Sequence, residues 1–268
     1  MDNFAARLRA REHLVGYWVM LDAPPATERI ARVGYDYVVL DAQHGLLSTR
    51  GILDGLMAID AAAAGPVVDP SAGTAGSARD ATVGLVRVEA NNATPIGRAL
   101  DAGAAGVIVP LVDSGEDAAR AVRAAKYPPS GIRSFGPARS GLRIGPVPAQ
   151  ADAATVVLAM IETAAGLTNV EEICATPGLD GIYVGPSDLC LAVGGKFPGD
   201  PDVRGEFDAA VVHIAEVAAA AGVAAGIHTN DGPTAKRRLT EGYTFATVSS
   251  DLDHLQGVAA DHLAVVRG

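Results

Sequence analysis

Glu162 and Asp188 each follow a short apolar run, and a pair of carboxylates so placed suits a hard cation such as Mg²⁺ or Mn²⁺. The runs are Val156-Val157-Leu158-Ala159-Met160-Ile161 and Gly181-Ile182-Tyr183-Val184, the second turned by Gly185-Pro186-Ser187-Asp188-Leu189. Between them, Thr168 to Cys174 carries helical apolar spacing at Val170, Ile173 and Cys174. Strand, helix and strand within ~30 residues is a βαβ unit, whose strands run parallel as neighbours. The spacing therefore predicts that both carboxylates emerge side by side at the carboxyl end of a sheet.

The rest of the chain must build that sheet. Apolar runs predict strands at 15–20, 37–40, 85–88, 107–110, 156–161, 181–184, 224–227 and 245–248, each followed by a helix or helix-like segment. Helical signals include Ser48 as an N-cap, Thr94 as a cap with Pro95 at the first position, and closing helix 252–267. Two stretches break the rhythm. Residues 65–84, rich in Gly, Pro and Ala, read as a surface insertion before the third strand; residues 127–148, with five prolines, read as a long loop. Eight strand–helix units in 268 residues predict one α/β domain, a (β/α)8 TIM barrel. A doubly wound sheet is the alternative, but no Gly-rich fingerprint follows the first strand.

Composition narrows the function. Hydrophobic residues at 49% and charged residues at 19% allow a sizeable core. A net charge of −10 argues against nucleic acid and against an anionic membrane surface. Cys174 and Cys190 lie in apolar stretches and read as free thiols, and neither a signal-peptide core nor an apolar run near ~18 residues is seen, so a cytoplasmic protein is expected. The six histidines show no metal-finger spacing; His13, His213, His254 and His262 read as surface or packing residues.

In a TIM barrel, chemistry gathers at the carboxyl ends of the strands. Those ends deliver Asp41, Gln43 and His44 from the second, Arg87 from the third, Glu162 from the fifth, Asp188 from the sixth, His228 from the seventh and Ser249 to Asp251 from the eighth. Arg87 and Glu162 are charges in apolar surroundings, which must be paired or ligated. An ion pair between the two is one reading; convergence on a site is the other. No lysine falls at a strand end, which disfavours a Schiff base.

Together, Asp41-Ala42-Gln43-His44-Gly45, Val86-Arg87-Val88, Met160-Ile161-Glu162-Thr163 and Gly185-Pro186-Ser187-Asp188-Leu189 resemble the HpcH/HpaI family of metal-dependent, class II pyruvate aldolases. Further matching stretches are Ala99 to Ala104, Val109 to Val112 and Tyr127 to Arg133. The resemblance implies a divalent cation (Mg²⁺, Mn²⁺ or Co²⁺) on Glu162 and Asp188, and pyruvate chelating it. It implies that Arg87 binds the keto oxygen and that the backbone of Gly185, Pro186, Ser187 and Asp188 receives the carboxylate. His44, oriented by Asp41, is implied as the acid/base, a role for which the reference imidazole pKa of ~6.5 is suited. The implied reaction is reversible cleavage of a 4-hydroxy-2-oxo acid to pyruvate and an aldehyde. A homo-oligomer, hexamer or trimer, is also implied, with Asp101 and the 127–148 loop near its subunit border. Gln43, implied among the substrate-binding residues, stands where many relatives have Glu, so a water-mediated contact to the metal would be neutral here, and Met160 stands where some have Gln. Two alternatives stay open: a malyl- or citramalyl-CoA-type lyase, for which Arg133, Arg139 and Arg143 are the candidate basic groove, and a non-catalytic barrel that binds a metal–oxoacid complex.

Overall fold

The computed structural model describes residues 2–63, 68–69, 74–75 and 81–268. Eight parallel strands close a barrel: β1 (Leu14–Val19), β2 (Tyr37–Asp41), β3 (Val83–Arg87), β4 (Gly106–Val109), β5 (Val156–Ile161), β6 (Gly181–Val184), β7 (Ala224–Thr229) and β8 (Phe245–Ser250). Each pairs with its neighbours in chain order, and β8 returns to β1. The TIM barrel expected from the sequence is the fold. β5 and β6 fall on the expected residues.

Alternation along the strands sorts side chains into two cores. One lines the barrel interior, with Leu14 and Trp18 of β1, Tyr37 and Val39 of β2, Leu158 and Met160 of β5, Tyr183 of β6 and Phe245 of β8. The other fills the layer between strands and helices. Tyr37, Tyr183 and Phe245 are fully buried, each contributing roughly 1.5–3 kcal/mol of apolar burial. The hydroxyls of Tyr37 and Tyr183 meet the buried Thr247 Oγ1 at 2.9 and 2.6 Å. Trp18 stacks over Tyr183 with centroids 5.8 Å apart, so an aromatic layer forms the floor on which the carboxyl-end residues stand.

Several boundaries differ from the sequence reading. β3 begins at Val83, inside the 65–84 stretch expected as loop. Gly84 lies within the strand, and the helix Thr49–Ala63 packs on it so closely that a Cβ there would lie 2.4 Å from Leu56 Cδ2. Within the expected insertion, Val68–Asp69 and Thr74–Ala75 pair antiparallel; 65–67, 70–73 and 76–80 lie outside the described residues. The 127–148 stretch is not wholly loop, since it contains a short helix (Ser140–Ile144) and the start of another (Pro148–Ala154). Ser48 does cap the Thr49–Ala63 helix, accepting Gly51 N–H at 3.0 Å. The helix over Ala93–Asp101 is capped by Asn92 rather than Thr94: the Asn92 carbonyl accepts Thr94 N–H at 2.9 Å, so Thr94 is the capped residue. The closing helix spans Asp251–Arg267, one residue longer than expected, and none of its residues is buried.

Candidate active site

The inward parity that places Tyr37 and Val39 in the barrel also turns Asp41 inward, and Val83 and Leu85 do the same for Arg87. Asp41 and Arg87 are register partners at the ends of neighbouring strands. Arg87 donates through Nε to Asp41 Oδ1 at 2.8 Å and through Nη2 to Asp41 Oδ2. The ion pair the sequence left open between Arg87 and Glu162 is therefore corrected: adjacent strand ends give Arg87 to Asp41. Trp18 completes the clamp. Its Nε1 donates to Asp41 Oδ2 at 3.2 Å, and its ring lies 5.0 Å from the guanidinium carbon.

Asp41 also accepts the backbone N–H groups of Gln43 at 3.0 Å and His44 at 3.2 Å. Burial works against its ionisation, but the Arg87 hydrogen bonds and charge, with His44 N–H and Trp18, hold its carboxyl below the usual range. With five donors on two oxygens, Asp41 shapes the turn and locks the guanidinium. It engages His44 through the backbone rather than through the ring.

Glu162 continues the inward parity of Leu158 and Met160 beyond β5 and is 2% exposed. Its Oε1 accepts Leu111 N–H at 2.8 Å, from a residue held at φ 53°. Burial raises the Glu162 pKa; the Leu111 N–H opposes that shift, and the like charge of Asp188 adds to it. Gly185 packs against this carboxylate so closely that a Cβ would lie 2.6 Å from Oε2, so any larger residue there would displace the Glu162 carboxylate. A helix (Pro186–Ala192) then begins, with Asp188 in its first turn and exposed.

A cavity of about 220 Å³ collects these groups, walled by Asp41, His44, Arg87, Glu162 and Asp188 with Gly185, Pro186 and Ser187. Met160, Trp18 and Tyr183 form its less polar side. All the site residues expected from the sequence except Gln43 line it. Gln43 lends its backbone to Asp41, and its buried Oε1 has no hydrogen-bond partner among the described residues.

Two contributors had no assigned role in the sequence reading, Trp18 and His228. Both were detectable by parity, since Trp18 lies four residues after inward-facing Leu14 and His228 four after Ala224. His228 sets its ring edge-on to Trp18 at 5.3 Å. Burial, with the Arg87 charge, lowers its pKa to about 4, so it is a neutral imidazole near neutral pH. His13, His213, His254 and His262 are exposed, and His254 Nδ1 meets Tyr17 Oη at 2.7 Å.

Two carboxylates, Glu162 and Asp188, share the cavity, and oxygen donors of that kind suit a hard cation; among the described residues no group of three or more His, Cys, Asp or Glu is placed to hold a metal. Lysine chemistry is placed elsewhere. Lys126 Nζ is tied to the carbonyls of Asp152 and Thr155 at 2.6 and 2.8 Å, and Lys196 pairs with Asp202. The arginines considered for a nucleotide groove are also engaged within the chain. Arg133 pairs with Asp101 at 2.6 Å, and Arg139 and Arg143 both hold Asp60.

Comparison with known proteins agrees with this geometry. The family model of HpcH/HpaI aldolase/citrate lyase matches residues 14–257. A hydroxypyruvate/pyruvate aldolase of Rhizorhabdus wittichii is 36% identical over 251 residues, covering 93% of this chain and 92% of the relative. A 5-keto-4-deoxy-D-glucarate aldolase of Salmonella paratyphi C is 35% identical over 255 residues, covering 94% and 91%. The crystal structure of a HpcH/HpaI aldolase/citrate lyase family protein from Burkholderia cenocepacia superposes with a TM-score of 0.85 at 32% identity, with both chains fully covered. With the whole barrel matched and the strand-end acids and guanidinium gathered in one cavity, this chain belongs to the HpcH/HpaI aldolase/citrate lyase family of carbon–carbon lyases.

Proposed function

We propose that this chain is a divalent-metal-dependent aldolase that reversibly cleaves 4-hydroxy-2-oxo acids to pyruvate and an aldehyde. One observation carries the reading: Glu162 and Asp188 share a cavity with a guanidinium already immobilised by Asp41. Glu162 and Asp188 would hold Mg²⁺, Mn²⁺ or Co²⁺. Such a cation, when bound, supplies Lewis-acid polarisation of the 2-oxo group.

The side chains divide the remaining work. Asp41 engages two of the five guanidinium N–H donors of Arg87, leaving the others for the keto oxygen of the substrate. As the C3–C4 bond breaks, its electron pair moves toward that oxygen, and Arg87 stabilises the enolate charge without reorganising. His44, at the cavity wall, takes the proton of the 4-hydroxyl as the aldehyde departs. The backbone N–H groups of Ser187 and Asp188, at the start of the Pro186–Ala192 helix, receive the substrate carboxylate.

The assay is pyruvate release from a 4-hydroxy-2-oxo acid, coupled to lactate dehydrogenase. Cleavage should need added metal and stop in EDTA; equal rates with and without chelator would refute the reading. The internal pairing of Arg133, Arg139 and Arg143 disfavours the CoA-thioester alternative.

A homo-oligomer is part of the same reading. The closing helix buries none of its residues and exposes Leu255 at 62%, Val265 at 82% and Val266 at 85%. Phe135 and Leu142, in the stretch expected at a subunit border, are exposed too. A second copy of the chain is the natural cover for such surface, and light scattering at micromolar concentration should give a trimer or hexamer. The thiols of Cys174 and Cys190 are free and buried, as suits a reducing cytoplasm.

A further inference from the structure

A leucine in the left-handed backbone region is strained, because its Cβ crowds the following carbonyl oxygen. Leu111, two residues past β4, holds φ 53°. Its side chain is 55% exposed, so burial of the leucine itself does not account for that conformation. The conformation does give its backbone N–H a partner, Glu162 Oε1, at 2.8 Å.

The chain on both sides of Leu111 is fixed. Pro110 precedes it with a ring-locked φ. Val112 is fully buried in the layer between strands and helices. Asp113 N–H donates to Asp117 Oδ2 at 3.2 Å, and the Asp113 carbonyl accepts Asn169 Nδ2 at 2.8 Å. The Asp113 carboxylate accepts the hydroxyl of Thr163, the residue next to Glu162. The loop after β4 and the end of β5 are therefore joined at two points, Leu111 to Glu162 and Asp113 to Thr163. Strain of this kind persists only where the surroundings over-determine it.

The same bond makes the two Glu162 oxygens unequal. Oε1 is engaged by the Leu111 N–H, whereas Oε2 lies against Gly185, three residues before Asp188.

We propose that Leu111 is the positioning residue of the cation site: its left-handed backbone holds Glu162 by Oε1, so that Oε2 is the oxygen offered to the cation with Asp188. The inference rests on the reading that Glu162 and Asp188 hold a divalent cation. It assigns the effect to the backbone at Leu111 and not to the leucine side chain.

Mn²⁺ is the probe. EDTA-treated, dialysed protein is titrated with MnCl₂, and free Mn²⁺ is read from its EPR signal, with no turnover required. No binding by the wild-type protein overturns the cation reading and this inference together. Leu111→Ile keeps the volume and apolarity, but its branched Cβ opposes a positive φ. It should weaken Mn²⁺ binding about 10–100-fold, the loss typical when an outer partner of a metal ligand is removed. Leu111→Gly and Leu111→Asn accept a positive φ and should bind within about threefold of wild type. Wild-type affinity in a folded Leu111→Ile, or equal weakening in all three variants, overturns this inference and leaves the cation reading intact. Gly166→Ala reaches the same loop from its other side, since a Cβ there would lie 2.7 Å from the Val112 carbonyl oxygen. It should weaken Mn²⁺ binding about threefold or more with Leu111 and Glu162 unchanged. If circular dichroism shows Leu111→Ile unfolded, Gly166→Ala decides: weaker binding supports the positioning role, and wild-type affinity overturns it.

Discussion

The two ends of this barrel treat charge differently. At the amino end, charged side chains are tied into the backbone. Asp180, just before β6, accepts Arg9 Nε at 2.7 Å and Val157 N–H at 2.8 Å, while Arg9 also donates to the carbonyls of Ala153 and Thr155. Asp36, just before β2, accepts from Arg7 and from Val15 N–H. At the carboxyl end, one pair is equally tight, Arg87 with Asp41, but the groups around it keep unused capacity. Glu162 receives one backbone N–H and faces Asp188, and His228 Nδ1 has no hydrogen-bond partner among the described residues. Charge at the amino end is saturated within the chain, whereas hydrogen-bonding capacity at the carboxyl end is left open at Glu162 and His228.

Breaking the carboxyl-end clamp should have the largest effect. Asp41→Ala leaves Arg87 buried without its carboxylate and should cost about 3–5 kcal/mol in denaturant unfolding. Arg87→Ala should lower kcat by roughly two to three orders of magnitude, since the charge aimed at the enolate oxygen is gone. Turnover within threefold of wild type in Arg87→Ala would remove the guanidinium from the chemistry.

Acid should act next, through His228. Its folded pKa, about 4, is below the ordinary 6.5, so between those values the folded state binds fewer protons than the unfolded one. Stability should therefore rise with pH across that window and be lost on acidification, by up to about 3 kcal/mol at pH 4. His228→Leu should flatten that part of the stability–pH curve. Parallel curves for variant and wild type would contradict the shift.

The amino end sharpens the contrast. Asp180→Ala should cost about 1–3 kcal/mol of stability, because Val157 N–H loses its acceptor, while kcat stays within twofold. A large fall in kcat at constant fold would erase the distinction between the ends. The smallest effect is expected on the surface: Arg50, 76% exposed and paired with Asp54 four residues on, should change stability by less than about 0.5 kcal/mol when replaced by Ala.

The barrel was legible in the sequence because its strands are short apolar runs between turn signals, and β5 and β6 match to the residue. Strand ends were harder. β7 and β8 run on through His228, Thr229, Ser249 and Ser250 because ladder hydrogen bonds are indifferent to side-chain polarity. In the site, residue types pointed to the acids and to Arg87, yet the partner of Arg87 depended on register between β2 and β3, which a list of strand ends does not contain. Gln43 is a related case: its backbone N–H is held by Asp41, and its side chain is not among the residues that line the cavity. The role of His228 was hidden, because the burial that keeps it neutral arises from packing against Trp18 and from Arg87 across the barrel.

Solvent exchange of the pyruvate methyl protons, followed by NMR in D₂O, reads enolate formation without any aldehyde. With Mg²⁺ or Mn²⁺ the wild-type protein should exchange them, and EDTA, Glu162→Gln or Asp188→Asn should each stop the exchange. Exchange that persists in EDTA or in either variant would contradict the assignment of Glu162 and Asp188 as the cation's ligands.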